Sequence, residues 1–157
     1  MKKTKFSLTY KDEATLELTK KASHQTLALW AIDCTERVMP YYAELFPNDD
    51  RPRNAINTLQ EWIKTGVFKM SVIRHASLSS HAAAREVGED NPARSAARSA
   101  GQAVATAHVP THSLGAALYA LQAVYRAANP ADADAAVSRE RDWQYHRLLE
   151  LMKKTKT

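Results

Sequence analysis

The sequence predicts an all-α fold, a compact bundle of about five to seven helices with alanine-rich, closely packed members. Three observations carry this. Glycine occurs only 4 times in 157 residues and most of the 6 prolines fall between helical patterns, whereas a β-sandwich needs far more turn punctuation. Apolar residues recur at helical spacing in the long segments. Small residues line up on residues 96–107 and again on 115–120, as close helix packing requires.

Residues 5–10 alternate polar and apolar, which suits a short extended arm or edge strand, and residues 12–21 are helix-compatible but weakly amphipathic. Ser23 is a plausible N-cap for a helix running to about Phe46. Its stripe is Leu27, Ala31, Cys34, Val38 and Leu45, and Leu29, Ile32 and Met39 add a second apolar face, so it is expected to be covered on two sides. Pro40 should kink or interrupt it by removing a backbone donor and crowding the preceding turn. After the polar turn at residues 47–50, Asp50 can cap the next helix, with Pro52 in its first turn and Gly66 closing it. That helix carries Ile56, Leu59, Trp62 and Ile63. A further helix spans about residues 70–87.

Asn91-Pro92 reads as N-cap plus first-turn proline for a helix whose stripe is Ala96, Ala100, Ala103 and Ala107, with Gly101 beside it. Pro110 either kinks this helix or separates it from the next, about residues 111–128, which carries Gly115, Ala116, Ala117 and Ala120. Asn129-Pro130 repeats the start signal for a last helix over about residues 131–153. Asp132 and Asp134 stand at its positive end, and Lys153 and Lys154 at its negative end. The expected organisation is a basic arm or short helix over 1–21, a single helical domain over 22–153, and a tail over 154–157.

The formal net charge of +5 raises nucleic-acid binding, but its location weakens that reading. Residues 1–21 hold six Lys against three acidic residues, and residues 139–157 hold six Lys or Arg against three; the segment between has ten basic and eleven acidic residues. A nucleic-acid domain concentrates cations on a folded face rather than in the ends. No apolar run reaches the roughly 18 residues of a membrane span. The basic start lacks an apolar stretch after it, so the chain is expected to stay in the cytosol. Cys34 is alone, which excludes an intrachain disulfide and fits a small buried hydrophobe.

Several polar pairs stand four apart, one helical turn. Asp33 and Arg37 suit an intrahelical ion pair. His81 and Arg85 sit among alanines, and Arg94 and Arg98 repeat the spacing. His81, Arg85, Asp33 and Arg37 are candidates for one buried interhelical network, in which every charge must be paired. His108 and His112 have metal-ligand spacing on a straight helix, but no carboxylate is near in sequence, no H-E-x-x-H exists, and no metal or cofactor is expected. Arg51 and Arg53 flank Pro52, forming a stiff charged loop suited to charge-assisted hydrogen bonds or to presentation to a partner. Nucleophilic catalysis lacks support: Ser77, Ser79 and Ser80 precede His81 without a strand-turn-helix elbow. Trp30, Trp62, Trp143 and Tyr41-Tyr42 read as core.

Five blocks, in order, carry a resemblance: LWAIDCTERVMP (29–40), DDRPRNAI (49–56), SHAAARE (80–86), ARSAGQAVATAH (97–108) and RERDWQ (139–144). Together they resemble a bacterial family of putative immunity proteins associated with polymorphic toxin systems. The resemblance implies a helical protein that binds a cognate toxin and neutralises it by occlusion, without catalytic residues of its own. Immunity proteins against nucleases are often acidic; this chain is not, so mimicry of nucleic acid is not implied. The residues singled out for binding are Asp33, Arg37, Arg51, Arg53, His81, Arg85, His108 and His112. The alternative is a helical small-molecule or metal-binding protein, even an enzyme, with six of them (Asp33, Arg37, His81, Arg85, His108 and His112) lining an interhelical site. A homo-oligomer would cover any apolar face left bare.

Overall fold

A computed structural model describes residues 5–155. Among them are eight helices and no strand: α1 (Glu13–Lys21), α2 (His24–Glu36), α3 (Met39–Leu45), α4 (Arg51–Thr65), α5 (Met70–Glu86), α6 (Pro92–Ala105), α7 (His112–Ala127) and α8 (Ala133–Lys154). The all-helical expectation holds, with one helix more than five to seven. Residues 13–21 form a helix of their own, and the segment expected over 23–46 is divided. Its first part ends at Glu36, and Pro40 falls in the first turn of α3, where its missing N–H costs nothing. Residues 5–10 form no strand. Residues 1–4, 156 and 157 of the expected arm and tail lie outside the described residues.

Local chemistry sets the boundaries. Asp12, Ser23 and Asn91 each accept a hydrogen bond from a backbone N–H of the first turn, at Thr15, Thr26 and Arg94 respectively. Gly66 ends α4 at φ +71°, a left-handed conformation that a side chain would strain. Pro110 separates α6 from α7 rather than kinking one long helix. Asp50 occupies the cap position of α4 but gives no side-chain cap bond; the neighbouring Asp49 accepts from the Arg51 N–H at 3.1 Å instead. Leu45, expected in the core stripe, is 58% exposed at the end of α3.

α6 is the hub. It packs on α2, α3, α4, α5 and α7, and its most extensive contact is with α7. It can touch so many neighbours because none of its buried residues is larger than Val104. Small side chains let axes approach closely, so the seam gains through dispersion contacts along its whole length. The approach is near enough for hydroxyls to reach carbonyls across it. Ser80 donates to Ala97 O at 2.7 Å, Ser77 to Gly101 O at 2.9 Å and Ser99 to Ala116 O at 2.8 Å.

α2 is covered on two sides within the chain. Leu27, Trp30, Cys34 and Val38 join one apolar cluster with alanines of α6 and α7, and Ala28, Ala31 and Ile32 join another with Ile56 and Leu59 of α4. α8 closes the first side. Trp30 Nε1 donates to Gln144 O at 2.8 Å, while the buried Gln144 side chain donates to Ala117 O at 3.0 Å and accepts from Tyr10 OH at 2.8 Å. No described helix is long and apolar enough to cross a membrane.

Candidate functional site

The polar residues fall into three groups on different seams. Along α2 and α8, which run antiparallel, Arg37 donates to both carboxylate oxygens of Glu140 at 2.6 and 2.9 Å, and Arg147 donates to Asp33 at 2.8 Å. Asp33 and Arg37 therefore do not pair with each other. The Arg37 guanidinium also lies 4.0 Å from the Trp143 ring centroid, a cation–π contact. Glu140 is buried while Arg37 is partly exposed, so the guanidinium covers an otherwise costly buried carboxylate. Hydrogen bonding to Glu140 raises the Arg37 pKa, and Asp33 does the same for Arg147.

The second group centres on Arg51–Arg53, which the structure places in the first turn of α4 rather than in a loop. Arg51 grips Asp49 at 2.7 Å and reaches Glu86 of α5 at 2.6 Å, and Tyr42 OH donates to Asp49 at 2.7 Å. The Arg51 contact holds the Asp49 carboxyl well below the usual carboxylate range. Arg53 bonds Glu36 at 2.5 Å across partly exposed ends of α2 and α4.

The third group lies where α5, α6 and α7 meet. The His81 imidazole rests on Gly101, where a Cβ would approach Nε2 to 2.6 Å. Arg98 Nη1 faces His81 Nδ1 at 3.3 Å. A guanidinium only donates, so Nδ1 is the unprotonated acceptor and the ring is neutral. Burial first, then the charges of Arg98 and Arg85 and the nearby His112, pushes the His81 pKa down to about 4. A second interlock follows on the other side of α6. Gln102 fits over Gly115 and its Oε1 accepts from His112 Nδ1 at 2.9 Å. Burial, then His108, lowers the His112 pKa as well.

The single network expected of Asp33, Arg37, His81 and Arg85 is not formed: the first two engage α8, His81 engages α6, and Arg85 is exposed. The His108–His112 spacing does not act on one straight helix either. His108 lies in the turn after α6, exposed, its ring stacked on Phe68 at 5.9 Å, and His112 opens α7. Both line a cavity of about 160 Å³ with Arg74 and Leu78, but neither Asp33 nor Arg37 does. Among the described residues no three His, Cys, Asp or Glu are grouped to hold a metal ion. Among the described residues no carboxylate is bonded to His81 to orient it as a base.

Glu140, Glu86 and Gln102, partners of these residues, fall inside the blocks that carry the resemblance and Arg147 lies just beyond them, but their spacing alone does not single them out. The acid–base order of Glu140 and Arg147, which mirrors Asp33 and Arg37 on an antiparallel helix, is the one hint available.

The family model described as "Imm-5 like putative immunity protein" matches residues 17–151, which takes in α2 to α7 entirely and nearly all of α8. No curated protein and no solved structure matches the chain.

Proposed function

From the premise that this chain belongs to the Imm-5 like putative immunity protein family, we propose that it binds a cognate bacterial toxin protein and neutralises it by occlusion, without chemistry of its own. The observation that carries this is the family match over most of the chain. The geometry supports it from the other side. Six of the eight polar residues that a ligand or reaction site would draw on are engaged with side chains of this chain: Asp33, Arg37, Arg51 and Arg53 in ion pairs, His81 and His112 in seam contacts. Such pairing rigidifies a surface, and a preorganised surface binds a protein partner at lower entropic cost. The acting unit in this reading is the helical domain over 22–153, in the cytosol, where a toxin produced by the same cell is met.

This reading predicts a toxin gene beside this one, and the test is co-expression with its product. Growth should be restored by the parent chain and equally by His81→Ala and His112→Ala variants that remain folded. A parent chain that neither protects nor forms a complex would overturn the proposal.

A further inference from the structure

Seven large hydrophobic residues are exposed among the described residues, and five of them gather around α5. Val67 and Phe68 precede it, Val72 and Leu78 lie on it, and Val109 adjoins His108, whose ring Phe68 stacks on. Concavities flank the helix. One of about 420 Å³ between α4 and α5 is lined by Trp62, Val67, Val72 and Ile73; another, of about 340 Å³, by Val72, His75 and Ser79 among others. The cavity of about 160 Å³ beside Leu78 and His108 lies on the opposite flank. These side chains lie on both flanks of α5, Val67 and Val72 towards α4 and Phe68 and Leu78 towards His108, and exposed large apolar residues gathered on one element mark an interaction site where singly scattered ones do not.

The unpaired charges around it are mostly positive. Arg74 and Arg85 on α5, Lys69 before it and Lys64 at the end of α4 make no ion pair among the described residues. Glu86, the one acidic residue of α5, is taken by Arg51 at 2.6 Å. Glu61 is the one carboxylate lining the cavity of about 420 Å³. By contrast Arg37, Arg51, Arg53, Arg94 and Arg147 are all paired. The chain's middle segment is nearly neutral, so this excess is local.

Resting on the toxin-binding reading above, we infer that the outward face of α5 is the toxin-binding surface, and that it takes a partner surface with carboxylates around an apolar centre. Phe68 would be the main anchor, with Leu78 adding apolar area, since a few well-packed aromatic and arginine side chains near the centre of an interface carry most of its energy. Arg74, Arg85 and Lys69 would steer the acidic partner and fix its register. A second copy of the chain fits poorly, because a two-fold contact through this face would set those cations against their own equivalents.

The experiment measures binding of the full chain to a non-toxic variant of the cognate toxin by calorimetry. Phe68→Ser with Leu78→Ser, and separately Arg74→Glu with Arg85→Glu, should each weaken binding about tenfold or more. Leu45→Ser, an exposed apolar position on α3, should leave it unchanged, and all variants should melt as the parent does. Parent affinity should fall with added salt, and that of the charge-reversal pair should not. Toxin binding that persists unweakened in both face variants would overturn this inference while leaving the immunity reading intact. A parent chain that binds no toxin would remove the reading beneath it. Self-association through Phe68, or adsorption to phosphatidylserine vesicles, in place of toxin binding would also overturn it.

Discussion

Gly101 on α6 lies directly against the imidazole of His81 on α5: a Cβ at position 101 would meet Nε2 at 2.6 Å, Cε1 at 2.8 Å and Cδ2 at 2.9 Å. The hub of the fold and its most perturbed histidine are thus one contact. Alanine favours a helix over glycine by about 1 kcal/mol, but here the ring must leave the seam to make room. Gly101→Ala is expected to destabilise the chain by about 1–2 kcal/mol. In a His81→Ala background the same substitution should instead stabilise by up to about 1 kcal/mol. Urea denaturation of the four proteins decides it, and equal effects in both backgrounds would show that the ring does not set the seam.

The lowered pKa of His81 makes stability pH-dependent with a definite sign. A histidine whose folded pKa is about 4 against 6.5 when unfolded stabilises the fold fully above 6.5. That contribution is lost as pH falls from 6.5 towards 4, because the unfolded chain takes the proton first. Between pH 7 and pH 5, above the titration of Asp49, the chain should lose about 1 kcal/mol through His81, allowing for the ring's partial exposure. His112 adds in the same direction. His81→Gln should flatten the profile over that window; an unchanged slope would refute the assignment.

Arg37 and Glu140 should respond unequally to mutation. Removing Arg37 strands a carboxylate whose side chain is 10% exposed, whereas removing Glu140 frees a guanidinium that is 43% exposed and can turn to water. Arg37→Met is therefore expected to cost about 2 kcal/mol and Glu140→Gln about 1 kcal/mol or less. Thermal melts compare them directly, and the reverse order would mean that Glu140 is solvated.

Much of the fold was legible because local chemistry marks it. Ser23 and Asn91 cap helices, Gly66 ends one, and Pro40 and Pro110 interrupt, all through effects confined to a turn or two. The alanine seam was legible too, since a stripe of methyl groups has few uses besides close packing. What the spacing could not convey is which distant groups meet. Asp33 and Arg37 are four apart and of opposite charge, yet each finds a better partner on α8, more than a hundred residues away. His108 and His112 share that spacing, but the turn around Pro110 sets them on different elements. Asp49 rather than Asp50 closes the start of α4, because Arg51 and Tyr42 hold its carboxylate there.

Exclusion of catalysis in the proposed neutralisation makes a stoichiometric prediction. An occluding protein must remain on its target, so protection is bounded by the amount of chain present. The direct measurement is a titration of a fixed amount of purified cognate toxin with the chain, following toxin activity. Activity should fall linearly and reach zero at a fixed molar ratio, with intact, active toxin recovered when the complex is dissociated. Full inhibition far below one chain per toxin, or recovery of a covalently altered toxin, would contradict it.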